Sequence, residues 1–249
     1  MTRSHQEFRK YDAQGAYHWK QMRPTLRRFN AGLAARYQRA LSLVSLHCKP
    51  ENTVSILDIG CGDGYFTSQL AALFPNARVD GYDFSDTGIS LARKMSKVNN
   101  LIFHVGDAFG NNRADLSLIT ATDVIEHLDD YQGFLGRCHA ALAVKGLLLL
   151  STPIRIKEKP DDLYHVHEFF KEELAAEVSH AGFQLKAHTI SHDYKILENY
   201  GKRYSFLGIG RMRLGKYRAN FDAIVLGRNP FASENGKLPT MQYMIAEKI

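Results

Sequence analysis

Three histidines and two acids in two short stretches of this chain have the types and spacing for proton transfer or cation binding. The first stretch is Thr122-Asp123-Val124-Ile125-Glu126-His127-Leu128, and the second is His165-Val166-His167-Glu168-Phe169. Asp123, Glu126 and His127 stand at i, i+3 and i+4, so a single helical turn would bring them onto one face. Such a trio suits a base with its orienting acids, or three ligands of a divalent cation. Free imidazole titrates near pH 6.5, which makes His127 the leading candidate to take a proton from a hydroxyl, with His165 and His167 behind it.

Those residues need a scaffold, and its entry is Ile56-Leu57-Asp58-Ile59-Gly60-Cys61-Gly62-Asp63-Gly64. Apolar residues and an acid end a buried strand, and alternate glycines then permit a tight turn with close ligand approach. Tyr65 to Phe74 has helical apolar spacing and stops at Pro75. Strand, glycine turn and helix form a nucleotide-binding entry in an α/β sheet. The spacing is G-x-G-x-G rather than the dinucleotide G-x-G-x-x-G, and Asp58 would repel a pyrophosphate while suiting a cationic ligand. Further strands are expected at 77–83, 101–109, 115–121, 146–151, 183–190 and 241–247. Helices are expected at 29–46, 87–98 and 171–181. Asp83 ends the second strand nineteen residues after Gly64, where an acid would accept two hydrogen bonds from a ribose diol.

The Ile56–Gly64 stretch resembles motif I of class I S-adenosylmethionine (SAM) methyltransferases. Gly81-Tyr82-Asp83-Phe84-Ser85, Gly106-Asp107-Ala108, Asp123-Val124-Ile125-Glu126-His127-Leu128 and Ser151-Thr152-Pro153 are similar to later motifs of that family. The resemblance implies a doubly wound, mostly parallel seven-stranded sheet of Rossmann-like type. It also implies a cofactor site from Asp58, Gly60, Cys61, Gly62, Gly64, Asp83, Phe84, Asp107, Ala108 and Thr122. In it Phe84 faces the adenine and Asp107 receives its exocyclic amine. The E-H turn and a later histidine also resemble small-RNA 2′-O-methyltransferases that bind a divalent cation, and ubiquinone-pathway O-methyltransferases have a similar turn. On that likeness the metal set is Asp123, Glu126, His127 and His165, with Asp123 one methylene shorter than the family's first glutamate.

The net charge of +6 is unevenly distributed. Residues 1–50 hold ten Lys/Arg against two acids, 51–194 hold twelve against twenty, and 195–228 hold eight against two. This divides the chain into a helical arm (1–50), a SAM-binding core (51–194), a basic aromatic insertion (195–238) and a last core strand (239–249). An anionic substrate beneath the basic cap fits the pattern. The insertion, with Tyr194, Tyr200, Tyr204, Phe206, Tyr217 and Phe221 among its basic residues, is expected to act as a substrate-side lid of irregular structure. Tyr11, Tyr17 and the only tryptophan, Trp19, give the arm an aromatic patch that either covers the cofactor cleft or staples the arm to the core.

Three cysteines at unrelated spacing fit neither a disulfide framework nor a cysteine-based zinc site. No leader-like apolar segment opens the chain, and its longest apolar run falls short of a membrane span. A cytoplasmic enzyme is therefore expected, methylating a small-molecule, sugar or lipid-linked acceptor, at oxygen, with a histidine base. The alternatives are a metal-assisted RNA 2′-O-methyltransferase, whose nucleic-acid partner fits the modest charge poorly, and a non-catalytic interaction protein of the same fold. The acceptor and the oligomeric state are not encoded in any motif.

Overall fold

The computed structural model describes residues 10–110, 114–155, 165–193, 204–205, 211–212, 214–232 and 238–249. Two short helices, α1 (Lys10–Gln14) and α2 (Tyr17–Gln21), lead into the long helix α3 (Ala31–His47). Asn30 caps α3: its side-chain oxygen accepts from the Leu33 amide at 3.1 Å while its amide donates to Gln21 at 2.8 Å. Strands and helices then alternate: β1 (Ser55–Ile59), α4 (Tyr65–Leu73), β2 (Arg78–Asp83), α5 (Asp86–Met95), β3 (Leu101–Val105), β4 (Leu116–Thr122), α6 (Tyr131–Ala141) and β5 (Leu142–Pro153). Helix α7 (Lys171–His180) and β6 (Phe183–Asp193) follow, then the two-residue strands β7 (Tyr204–Ser205) and β8 (Arg211–Met212). Helix α8 (Leu214–Ile224) and strand β9 (Leu238–Lys248) complete the chain.

Seven strands form one sheet in the order β3-β2-β1-β4-β5-β9-β6. The neighbours from β3 to β5 are parallel, and β9 runs antiparallel between β5 and β6. Both faces are buried, as right-handed crossover helices on a parallel sheet require. Alternate residues of one strand therefore serve two cores. Leu57, Ile119, Leu148, Leu150 and Met244 face Phe134, Leu135 and Cys138 of α6 and Leu174 and Val178 of α7. Ile56, Leu118, Leu149, Tyr243 and Ile245 face Leu43 and Val44 of α3 and Phe66 and Leu70 of α4. Fully burying each such aliphatic side chain contributes about 1.5–3 kcal/mol, which is why these positions tolerate little change in volume.

The strand order reverses between β1 and β4, and the crevice beyond their carboxyl ends is where open α/β sheets bind ligands. The glycine turn follows β1 and the histidine turn follows β4, so the topology delivers both to one place.

Elements differ from the sequence expectation mainly in length. Strand β5 begins at Leu142 rather than 146, and β9 extends from Leu238 to Lys248 because both its neighbours extend it by pairing. Helix α6 has no counterpart among the expected elements: two glycines, Gly133 and Gly136, interrupt its apolar spacing, yet Asp130 caps it through the Gly133 amide at 2.9 Å. Within the insertion, α8 replaces the irregular structure expected of 214–224. The side chains of Tyr194, Tyr200, Tyr204 and Phe206 lie outside the described residues.

Candidate active site

The cofactor loop starts from a buried acid. Asp58 on β1 is 2% exposed, and its carboxylate accepts the Thr120 hydroxyl from β4 and the Thr67 hydroxyl from α4, each at 2.6 Å. Burial raises its carboxyl to about 6, against the opposing pull of the two hydroxyls. The carboxylate thus ties three elements together below the turn. Gly60, Gly62 and Gly64 then take φ values of +73°, +55° and +75°. At Gly62 glycine is required twice over, by the left-handed backbone and because a Cβ would strike the Tyr11 hydroxyl. At Gly60 a Cβ would strike Val124, so the cofactor loop packs directly on the histidine turn.

Asp83, at the end of β2, grips the loop from the other side. One oxygen accepts the Gly62 amide and the other the Ser85 amide, both at 2.8 Å. Burial raises its carboxyl above the ordinary range, with the two amides pulling it down. Each oxygen keeps lone-pair capacity for a further donor, so a ribose diol can still bind there. Phe84 is 59% exposed, and Asp107 is exposed with one oxygen on the Phe109 amide at 3.0 Å. These two flank the ends of neighbouring strands β2 and β3, while Ala108 is buried between them and the core. Cys61 is buried against Phe103, Ile89 and Ala92, and its thiol is pushed well up by burial, so the residue serves the turn through its backbone. Thr122 is half-buried at the last position of β4. The glycine loop, the Asp83 carboxylate and the exposed Phe84 and Asp107 thus lie at the carboxyl ends of β1, β2 and β3.

The arm lies over this loop. The Asp63 carboxylate accepts from the His18 amide at 3.0 Å and pairs with His18 Nδ1 at 2.9 Å, while its backbone oxygen accepts from Trp19 Nε1 at 2.7 Å. Tyr11 stacks on Tyr17, and Asp12 accepts the Thr87 hydroxyl from α5. The aromatic patch therefore staples the arm to the core at the glycine loop. Cavities of about 450 and 550 Å³ lie nearby, lined by Lys20, Arg23 and Arg28 in one case and by Tyr37, Leu41 and Tyr65 in the other. The Gly60–Gly64 loop lines neither of these two.

After β4 the chain turns sharply. Asp123 takes φ +55°, a conformation uncommon outside glycine that aspartate tolerates better than most. Ile125–His127 then form one turn of 3₁₀ helix rather than α-helix. That turn separates the expected quartet. Glu126, His127 and His165 converge, with one ligand atom of each within 4.8 Å of the others, whereas Asp123 pairs with Arg36 of α3 at 3.2 Å. The His127 and His165 rings lie 5.1 Å apart. Glu126 is buried and accepts the Thr152 hydroxyl at 2.9 Å; burial, reinforced by Asp123, raises its carboxyl well above the ordinary range.

The second histidine stretch is fixed by main chain. The Glu126 carbonyl accepts the amides of Val166 at 2.8 Å and His167 at 3.1 Å. His165 Nδ1 meets the buried Glu168 carboxylate at 2.6 Å, which favours a proton on Nδ1 and leaves Nε2 as the acceptor. His167 turns instead to Glu173 of α7 at 2.8 Å and stacks on Tyr131, outside the convergent set. Glu168, Asp63, His18 and Arg36 escaped the sequence reading as site residues. Glu168 had a local signal, the i, i+3 spacing from His165; the other contacts span 45 and 87 residues and had none.

A methyltransferase-domain family model matches residues 19–188. A malonyl-[acyl-carrier protein] O-methyltransferase of Bacillus cereus is 31% identical over 139 residues, 51% of this chain and 51% of that protein. A ubiquinone biosynthesis O-methyltransferase of Rhodopseudomonas palustris is 32% identical over 100 residues, 39% of each. The chain thus spans about half the length or less of these curated relatives. Among solved structures, phosphoethanolamine N-methyltransferase 2 of Haemonchus contortus, in complex with SAM, superposes with a TM-score of 0.64 at 16% identity. That match covers 100% of this chain and 60% of that one, and shows the fold. The family model covers more than half of the chain, so the chain belongs to the methyltransferase-domain family, with the Rossmann-like fold of class I methyltransferases. No helix among the described residues is long and apolar enough to cross a membrane.

Proposed function

We propose that this protein methylates an oxygen of a small-molecule, sugar or carrier-linked acceptor, with His127 as general base. The observation that carries the reading is the contact between the two turns. Gly60 seats against Val124, so the glycine loop and the turn that carries His127 meet beside the β1/β4 reversal, which supports a common site. Bound there, SAM supplies an electrophilic methyl. The chain's own residues then have two tasks, to hold the acceptor in line and to remove its proton. Asp83 and the loop amides orient the cofactor. The arm, through Asp63 with His18 and Trp19, excludes water from above. His127 takes the acceptor's proton as the new oxygen–carbon bond forms, and His165 stands beside it, oriented by Glu168. Two relatives with oxygen-methylating names support the choice of atom. The basic insertion is read as the acceptor-side lid.

Calorimetry with S-adenosylhomocysteine tests the cofactor half: micromolar binding is expected, and Asp83→Ala should weaken it at least tenfold. Transfer of a labelled methyl to hydroxyl acceptors tests the rest. His127→Ala is expected to cost about 10²–10⁴ in kcat while leaving cofactor affinity intact. Absence of cofactor binding to the wild-type protein would sink the reading.

One observation favours a second reading. Glu126, His127 and His165 fit a divalent-cation site by ligand type and convergence. A cation there would hold acceptor oxygens and make a hydroxyl more acidic, and His127 would then be a ligand instead of the base. A thermal shift on adding Mn²⁺ or Zn²⁺ that His165→Ala abolishes would select this reading, and activity indifferent to chelators would exclude it.

A further inference from the structure

Helix α3 carries Arg36, and that side chain reaches the carboxyl end of β4. Its Nη1 donates to Asp123 Oδ2 at 3.2 Å, directly after the last residue of β4. Burial works against its charge, but Asp123, Tyr243 and Glu126 hold the guanidinium more firmly protonated than usual. Arg39, one turn on, reaches the Ala232 carbonyl at 3.4 Å, and its guanidinium lies 6.0 Å from the Tyr243 ring centre. Through Asp123 and Tyr243 the two arginines lie toward the carboxyl end of β4 and the amino-terminal half of the antiparallel β9.

The Arg36–Asp123 pair is half exposed, with side chains 45% and 42% accessible. Pairs of that kind hold weakly and exchange readily for another anion. Asp123 also occupies an uncommon left-handed backbone to present its carboxylate there. A planar guanidinium with its fork facing a crevice is suited to a carboxylate or phosphate. We propose that Arg36 recognises an anionic group of the methyl acceptor, with Asp123 holding the guanidinium in place until that group displaces it. This deepens the methyltransferase reading and rests on it for the location of the acceptor. Arg36 is the specificity determinant, and neutral acceptors of the same size are discriminated against.

Malonate, inorganic phosphate and neutral malonamide serve as probes, titrated by calorimetry into the protein with and without S-adenosylhomocysteine. Saturable binding of malonate or phosphate is expected, and the tighter of the two identifies the group recognised. Arg36→Gln should weaken it at least tenfold, Arg36→Lys should retain part of it, and Asp123→Asn should strengthen it severalfold. Asp130→Asn and Arg137→Gln, which alter the analogous charge pair on α6, should leave it within twofold. Unchanged cofactor affinity in Arg36→Gln shows that the variant is folded. Anion affinity equal in wild type and Arg36→Gln overturns the proposal. So does the lack of saturable anion binding to Asp123→Asn, where the guanidinium has lost its paired carboxylate. Failure of S-adenosylhomocysteine to bind refutes the methyltransferase reading instead, and the cofactor-free titration still decides the role of Arg36.

Discussion

Replacing Asp58 by asparagine should make the protein more stable at neutral pH and remove a distinct part of its pH dependence. The folded carboxyl holds its proton up to about pH 6, whereas an unfolded aspartate releases it near 3.9. Folding therefore takes up a proton between those values. The contribution of this group is fully favourable below about pH 4 and is lost as pH rises through 6. A shift of about 2 units corresponds to about 3 kcal/mol at pH 7. Asparagine avoids that cost, since its oxygen can accept one threonine hydroxyl and its amide donate to the other. For a chain of this size 3 kcal/mol is roughly 6–12 °C in Tm. Melts followed by circular dichroism at half-unit intervals from pH 4 to 7.5 would give the difference between wild type and Asp58→Asn. That difference should grow by about 3 kcal/mol from the acid end to the neutral end. A flat difference would refute the reasoning, because it would mean that Asp58 stays ionised with Thr67 and Thr120 fully compensating its burial. Thr120→Val, which removes one of those hydroxyls, should move the window upward.

Gly62→Ala should fold but lose about 1–2 kcal/mol to its left-handed backbone, and should release the arm because Cβ and the Tyr11 hydroxyl cannot coexist; earlier trypsin cleavage at Lys20 or Arg23 would register this. Asn220→Ala should cost about 1–3 kcal/mol in denaturant melts. The Asn220 amide donates to the carbonyls of Leu26 (2.8 Å) and Phe29 (2.6 Å), which its loss would strand. Wild-type stability in that variant would show that water replaces the side chain.

Motifs that act through their own backbone were legible in the sequence. The glycine turn at Gly60–Gly64 and the acid at Asp83 each carry a local spacing that points to one conformation. Parallel strands such as β4 and β5 were legible as short apolar runs, but their ends were not, since a partner strand decides how far pairing continues. The histidine turn shows the limit more sharply. The i, i+3, i+4 pattern assumes an α-helix, and the left-handed residue at Asp123 makes the turn 3₁₀ and sends that carboxylate to Arg36. Nothing within ten residues of Asp123 encodes that choice, because its partner lies 87 residues away. The arm was visible as aromatic, yet its anchor at Asp63 was not, for the same reason.

Asp63 lies between two of the loop glycines and is also the fastening point of α2. On the proposed reading a ligand on the glycine loop would exchange only when the arm opens, and its residence time would reflect how often that happens. Opening breaks the three bonds to Asp63 and the Asp12–Thr87 bond and uncovers Tyr11 and Trp19, a local event smaller than unfolding the core. The arm's grip therefore sets a compromise. A stronger hold would shield a ligand on the loop from water, and the same hold would delay product release, which in many enzymes limits turnover.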